Sequence, residues 1–370
     1  MKIEIPRDDL LGALGVVAGV VERRQTLPIL ANVLLETDDS ALRLATTDLE
    51  LAISTRVGAS AVPEPGAVTV PARKLMDLCR SLREGARVSI RTEGERCIVA
   101  SGRTRFTLST LPAADFPSIA NEDGMQRMML PATQLKRLLD KTGFAMAQQD
   151  VRYYLNGVLL ELAGNEVVAV ATDGHRLSRF AVALDGNEGE PEGVRQMILP
   201  AKTVSELRRL LADDGTMLSF NWGERSMVAA FGDTVLSSKL VDGKYPEYQR
   251  VIPKGLPRRA VVDRDLLRKG LQRAAILSNE KYKGVRISFD EGIFGLQAQN
   301  PEQEVAEDEV EADYAGEPVT IGFNVGYLLD ALQAIEAGQV EVTFQDADSS
   351  SIWRGLDCEE ETFVVMPMRL

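Results

Sequence analysis

One arrangement of elements recurs three times along 370 residues, and it restricts the fold more than any other property of the chain. Each third opens on an amphipathic helical stretch: PRDDLLGALGVVAGVV from Pro6, PATQLKRLLDKTGFAM from Pro131 and DRDLLRKGLQRAAIL from Asp263. Apolar residues fall at helical spacing in all three, at Leu10, Leu14, Val17 and Val21, at Leu135, Leu138 and Leu139, and at Leu267, Leu271 and Ala274. PRDD, PATQ and DRD are helix-start signals.

Strands and hairpins follow, from Asn32, Asn156 and Gly284, with turn pairs such as Asp173-Gly174 and Asn300-Pro301. A second helix then comes in VPARKLMDLCRSL, LPAKTVSELRRLL and GFNVGYLLDALQAI, where Asp77, Glu206 and Asp330 hold corresponding places 129 and 124 residues apart. The thirds close alike on RFTLSTLPAADFP, TVLSSKLVDGKYP and TFVVMPMRL. The expected fold is therefore α+β, with three repeated domains at residues 1–121, 122–250 and 251–370, each packing two helices on antiparallel sheet.

The net charge of −13 argues at first against a polyanionic partner. Its distribution changes that. The last third carries −10 of it, and the six helical windows (6–21, 72–83, 131–146, 201–212, 263–277 and 324–337) hold 15 Lys and Arg against 9 Asp and Glu. Basic residues recur at one-face spacing in Arg137 with Lys141, Arg264 with Arg268, Lys269 with Arg273 and Arg73 with Arg80; only the window 324–337 lacks them. If the helices share one side, that side is positive. Eight acids crowd residues 301–318, while Arg96, Arg103 and Arg105 flank Phe106 and Leu108 in the first third. Charges on exposed strand edges guard against aggregation, and opposite signs far apart in the chain also suit head-to-tail association, which closes into a ring when the rotation permits.

Catalytic chemistry is scarce. His175 is the single histidine and falls in a hairpin turn, so a histidine metal cluster is excluded and any Ser-His-Asp set would have to use it. Neither a Walker A sequence nor a dinucleotide fingerprint occurs, and no cofactor is expected. Asp346 to Asp348 and Glu359 to Glu361 could hold Mg²⁺ but read better as solvated loop carboxylates. Cys79, Cys97 and Cys358 read as buried free thiols. No run approaches the ~18 apolar residues of a membrane span, and MKIEIPRDDLL has no signal-peptide pattern, so a cytoplasmic, non-enzymatic protein without membrane association is expected.

The strings TLPILANVLLE, TDLEL, VPARK, STLPAADFP, QDVRYYLNGVLLE, VATDGHRL, SKLVDGKYPEYQRV, RAAILSNEKYKGVR, NPEQE, IGFNV and VVMPMRL together resemble the bacterial DNA polymerase III β subunit family, the replicative sliding clamps, over the full length. The resemblance implies a homodimer closing head to tail into a ring around duplex DNA, independent of sequence, with twelve helices lining the hole. Twelve helices at about 9 Å spacing leave a hole about 24 Å wide, against roughly 20 Å for the duplex. Its implied partners are the polymerase III catalytic subunit, the clamp-loader ATPase and other proteins with a clamp-binding motif. The competing reading is a DNA-processing enzyme or a duplicate, resistance-type clamp.

Matched to the family, Arg24, Arg73, Gln149, Tyr153 and Tyr154 are the implied DNA contacts, with ordinary strand packing as the alternative for the tyrosines. The implied protomer interface sets Lys74, Phe106 and Leu108 against Ile276, Leu277, Glu302 and Glu304. The implied partner-peptide pocket takes Leu155, Thr172, Gly174, His175, Arg176 and Leu177 from one hairpin region, Pro246, Arg250 and Val251 from a linker, and Ser350, Val364, Met366, Pro367, Met368 and Arg369 from the last strands.

Overall fold

The computed structural model describes residues 1–22, 27–38, 40–117, 125–184 and 193–369. In the first repeat β1 (Lys2–Pro6) runs into α1 (Arg7–Val17), then β2 (Asn32–Thr37), β3 (Ala41–Thr47), β4 (Leu51–Gly58), a short β5 (Ala61–Glu64) and β6 (Gly66–Pro71) lead to α2 (Ala72–Ser81), and β7 (Arg87–Glu93), β8 (Arg96–Ser101) and β9 (Thr104–Ser109) follow. The second runs β10 (Gln126–Pro131), α3 (Ala132–Thr142), β11 (Gly157–Ala163), β12 (Glu166–Thr172), β13 (Arg176–Ala183), β14 (Arg195–Pro200), α4 (Ala201–Leu210), β15 (Met217–Trp222), β16 (Ser226–Phe231) and β17 (Thr234–Lys239). The third runs β18 (Arg258–Asp263), α5 (Arg264–Ala275), β19 (Gly284–Asp290), β20 (Ile293–Gln299), β21 (Val305–Asp313), β22 (Val319–Asn324), α6 (Val325–Ala334), β23 (Gln339–Phe344), β24 (Ser351–Gly355) and β25 (Glu361–Val365).

All six helices lie inside their expected windows but end earlier. Past α1 and α3 the chain tightens into 3₁₀ turns at Ala18–Val20 and Gly143–Ala145. Helix starts are built alike across the repeats, because each first amide finds a loop carbonyl: Arg7 N donates to Ala86 O, Ala132 N to Thr216 O and Arg264 N to Gly338 O, at 2.8–2.9 Å. Proline at Pro6 and Pro71 ends the strand and presets the turn into the helix. In the third repeat Asp263 caps the Leu266 amide, and Asn324 accepts from Gly326 and Tyr327.

The described residues form two compact units, one holding Met1–Thr133 and Ser205–Leu240 and the other the remainder, so the central repeat contributes to both. The first contains a five-stranded sheet, β5-β1-β7-β8-β9, and an eight-stranded one, β10-β15-β16-β17-β4-β3-β2-β6. The second contains twelve strands in the order β14-β11-β12-β13-β25-β24-β23-β18-β21-β20-β19-β22. All the named strand pairs are antiparallel. The core of the third repeat seats Leu267, Leu271, Leu328 and Leu332 of the two helices against Phe289, Phe294, Phe344 and Trp353. Phe289 anchors it, with ring centroids 4.4 Å from Phe344 and 4.6 Å from Phe294.

Repeats join through their strands in one way. The last strand of the second repeat pairs with the fourth strand of the first, with Leu236 opposite Ile53 and Ser237 opposite Ala52. The last strand of the third pairs with the fourth strand of the second, with Phe363 opposite Ser178 and Val364 opposite Leu177. Inside the second unit the join is reinforced by a buried ion pair, Lys141 to Glu361 at 2.8 Å, each side chain under 5% exposed.

That pair corrects two sequence readings. Glu361 does not face water with its neighbours; it is buried, its second oxygen accepting from Gly355 N at 2.9 Å. Lys141 does not belong to an exposed basic face. Cys79 and Cys97 are buried, and burial pushes their thiols up to about 11, but Cys358 is only half-buried.

Candidate functional site: hairpin, linker and terminal strand

The hairpin between β12 and β13 is held by its own turn. Asp173 Oδ1 accepts from His175 N at 2.9 Å and Arg176 N at 3.0 Å, while Thr172 Oγ1 donates to Arg176 O at 2.6 Å. Gly174 sits at φ 89°, and a Cβ there would lie 3.1 Å from the Arg152 guanidinium, so two constraints favour glycine. Pairing of β13 with β25 carries the last strand to this turn, and Met366 N then donates to His175 O at 3.0 Å.

Below the turn lies an apolar floor. Leu155, Leu177 and Val364, each at most 2% exposed, share one cluster with Leu159, Ile198, Tyr245 and Tyr248. Tyr248 donates to Glu161 at 3.0 Å, and burial beside that carboxylate pushes its hydroxyl up to about 12. Around the floor Pro246, Val251 and Met366 are exposed, and so is Arg250, which pairs with Glu247 at 2.6 Å. Ser350, half-buried, precedes β24, whose Ser351 faces Val365. The hairpin, linker and last strands thus converge in one unit. Beyond Met366 the chain crosses to β22, where Met368 N donates to Gly322 O at 2.8 Å. Pro367 is half-buried, and Met368 and Arg369 line a groove of about 500 Å³ with Asn279, Tyr282, Gln297 and Pro301.

Arg176 ties this region together. Its guanidinium donates to Asp173, to Asp330 at 2.6 Å and to Phe144 O at 2.6 Å, and lies 4.5 Å from the Tyr327 ring centroid, on which His175 also stacks. Sequence reasoning omitted Tyr245, Tyr248, Tyr327 and Arg152 from the site. Asp330 alone carried a signal, its repeat position.

The family-matched DNA contacts divide between the units. Arg73 is exposed on α2 in the first, its guanidinium donating to Val21 O at 3.2 Å, and Arg24 lies outside the described residues. In the second, Gln149 is exposed at φ 55°, and Tyr153 and Tyr154 form a 3₁₀ turn, with their rings edge to face at 5.8 Å. Packing does not account for Tyr153, which is 57% exposed, whereas Tyr154 is half-buried and packs against the cluster of Leu155, Leu177 and Val364. Beside them Arg152 holds the Asp150 carboxyl down at about 2.

Two of the open strand edges carry residues expected at the protomer interface. β9 ends the five-stranded sheet and exposes Arg105 and Phe106; Lys74 of α2, expected at the same interface, is exposed as well. Leu108, expected at the same interface, shares the face of Phe106 but is buried, opposite Cys97. β21 pairs with β20 along Val305–Glu311 but with β18 only at Ala312 and Asp313, leaving the flank of residues 305–310 unpaired. Near that flank Ile276 is 78% exposed, Leu277 is half-buried, and Glu302 and Glu304 are exposed. Among the described residues no group of His, Cys, Asp and Glu could hold a metal ion, and no helix is long and apolar enough to cross a membrane.

Comparison with known proteins agrees in sequence and in fold. Residues 1–120, 129–247 and 249–369 match the N-terminal, central and C-terminal domains of the DNA polymerase III beta subunit. The beta sliding clamps of Pseudomonas putida and Escherichia coli (strain K12) are 48% and 45% identical to the chain over 370 residues, all of each protein being covered. The crystal structure of the DNA polymerase III subunit beta from Pseudomonas aeruginosa superposes with a TM-score of 0.95 at 47% identity, both chains fully covered. A Caulobacter crescentus beta sliding clamp, 38% identical, gives the same TM-score with 99% of its own chain covered, and holds polyethylene glycol at a putative beta-motif tethering region. With three α+β clamp domains in order, the chain belongs to the DNA polymerase III beta subunit family.

Proposed function

We propose that the protein is a sliding clamp: two copies close head to tail around duplex DNA and tether the replicative polymerase and other replication and repair proteins to it. The observation that carries this reading is the permuted strand pairing. Each repeat's last strand joins the fourth strand of the repeat before it, which uses β17 with β4 and β25 with β13 and leaves β9 and the β21 flank over. A second copy supplies what each lacks, and a reciprocal exchange closes the assembly. Transferring the register of the two internal joins sets Phe106 opposite Ala306 and Arg105 opposite Glu307. Phe106, Ile276 and Leu277 then form an apolar centre, and Lys74, Glu302 and Glu304 a charged margin.

Topology then does the work of affinity. A protein that moves along any sequence must avoid base-edge contacts, each of which adds about 1–3 kcal/mol of preference. Arg24, Arg73, Gln149, Tyr153 and Tyr154 serve as weak phosphate and strand contacts, and the closed ring prevents escape. The three clamp domains occupy residues 1–121, 122–250 and 251–370. The floor of Leu155, Leu177 and Val364, with Met366 at its edge, takes short hydrophobic peptide ends of the polymerase catalytic subunit, the clamp loader and other clamp-binding proteins in turn. The clamp catalyses nothing itself, needs no cofactor and works in the cytoplasm, with the loader supplying ATP hydrolysis.

The test is topological. Loaded by its clamp loader and ATP onto nicked circular DNA, the protein should stay bound through gel filtration and leave once the circle is cut. Retention on the linear form, or DNA cleavage by the protein alone with divalent metal, overturns the reading.

A further inference from the structure

The helix ends repeat as the strands do, and one of their contacts is missing. Counted from the first helical residue, Asp77 and Arg80 of α2 correspond to Glu206 and Arg209 of α4 and to Asp330 and Gln333 of α6. Gly19, Phe144 and Ile276 likewise correspond beyond the ends of α1, α3 and α5.

Where the first two repeats join, Arg209 donates to Gly15 O at 3.0 Å and Val16 O at 2.7 Å, the last-turn carbonyls of α1, and is held by Glu206 at 2.6 Å. The Glu206 carboxylate sits only 2.2 Å from where a Cβ on Gly19 would stand, so this acid fits because that position is glycine. Where the second and third join, Asp330 is bonded by Arg176, whose other nitrogen donates to Phe144 O. Both joins bring an acid, a guanidinium and the carbonyl end of a helix together, and the cation offsets the negative helix terminus. The acid is long opposite glycine and short opposite a side chain.

Asp77 and Arg80 have the same i, i+3 spacing as Glu206 and Arg209, but their side chains are 73% and 60% exposed, and Ile276 is 78% exposed. We propose that Arg80 of one copy, steadied by Asp77, donates to the carbonyls of Gln272 and Arg273 at the end of α5 in a second copy, with Asp77 over that copy's Ile276. This contact rests on the ring closure inferred above and adds an ionic latch to it. Asp77, one methylene shorter than Glu206, suits isoleucine where Glu206 suits glycine.

Sedimentation over a dilution series tests it. Arg80→Met should raise the dimer dissociation constant roughly a hundredfold, about tenfold for a charge-assisted bond at each of two identical junctions, with the monomer's melting temperature unchanged. Asp77→Glu should weaken the wild-type dimer yet leave dissociation unchanged in an Ile276→Gly background, where space for the longer acid exists. Arg80→Met shifting dissociation less than about fivefold, or Asp77→Glu acting equally in both backgrounds, overturns the latch while the dimer stands. A wild-type chain that is monomeric at every concentration, with Ile276→Asp without effect, overturns the ring closure itself.

Discussion

Lys141→Met probes the join between the second and third repeats. The Lys141 ammonium is 2.8 Å from Glu361, donates to Ala334 O and lies 5.6 Å from the Phe180 ring centroid, with Glu336 at 3.6 Å on the solvent side. Methionine replaces the aliphatic stem with little change of volume, so the cavity left behind is small. What remains is the Glu361 carboxylate, 2% exposed, with the Gly355 amide as its bonded donor. Removing one partner of a buried pair costs about 3–5 kcal/mol. At roughly 2–4 °C per kcal/mol, the unit containing α3 and β25 should melt about 6–20 °C lower by scanning calorimetry. Adding Glu361→Gln removes the stranded charge yet keeps an acceptor for Gly355, and should recover about half of the loss or more. A loss below about 1 kcal/mol, or a double variant no more stable than Lys141→Met alone, would refute the argument that paired burial holds this join.

Deleting residues 366–370 should abolish binding of polymerase- and loader-derived peptides by titration calorimetry while sedimentation still reports a dimer, because the tail is fixed by few backbone bonds, such as Met366 N to His175 O and Met368 N to Gly322 O. Acid should weaken the third repeat through Glu341. Burial alone would raise its carboxyl, but the hydrogen bonds from Arg259 and Arg354 prevail and hold it below its ordinary 4.5. A lowered folded value means stability that is present above pH 4.5 and lost as pH falls through the folded value. Glu341→Gln should therefore flatten the acid limb of the unfolding curve; an unchanged limb would count against the assignment.

Much of this was legible in the sequence, for a local reason. Helix spacing at Leu135, Leu138 and Leu139, and proline or aspartate before each first helix, act within a few residues, so all six helices could be read. The hairpin turn at Asp173 and Gly174 was legible for the same reason. The joins were not. Alternation in TVLSSK tells which face is inside but not that β17 will lie beside β4, some 180 residues earlier. Burial of charge was hidden too, because Lys141 and Glu361 look solvated until their partner, 220 positions away, is known. Phe106 and Leu108 were expected together at an interface, and alternation does put both on one face, yet Phe106 is 38% exposed and Leu108 8%, a difference that the pattern along one strand does not encode.

The position of β25 in the middle of twelve strands sets an order on synthesis. β13 emerges roughly 180 residues before the strand that pairs with its open side, an interval of roughly 10–40 s at about 5–20 residues per second. For that time the second repeat presents an unpaired edge backed by Leu177 and Phe180, and any product released early keeps it. Ribosome stalling before residue 361 should thus yield aggregates or chaperone clients, whereas completion of β25 seals the sheet in one step.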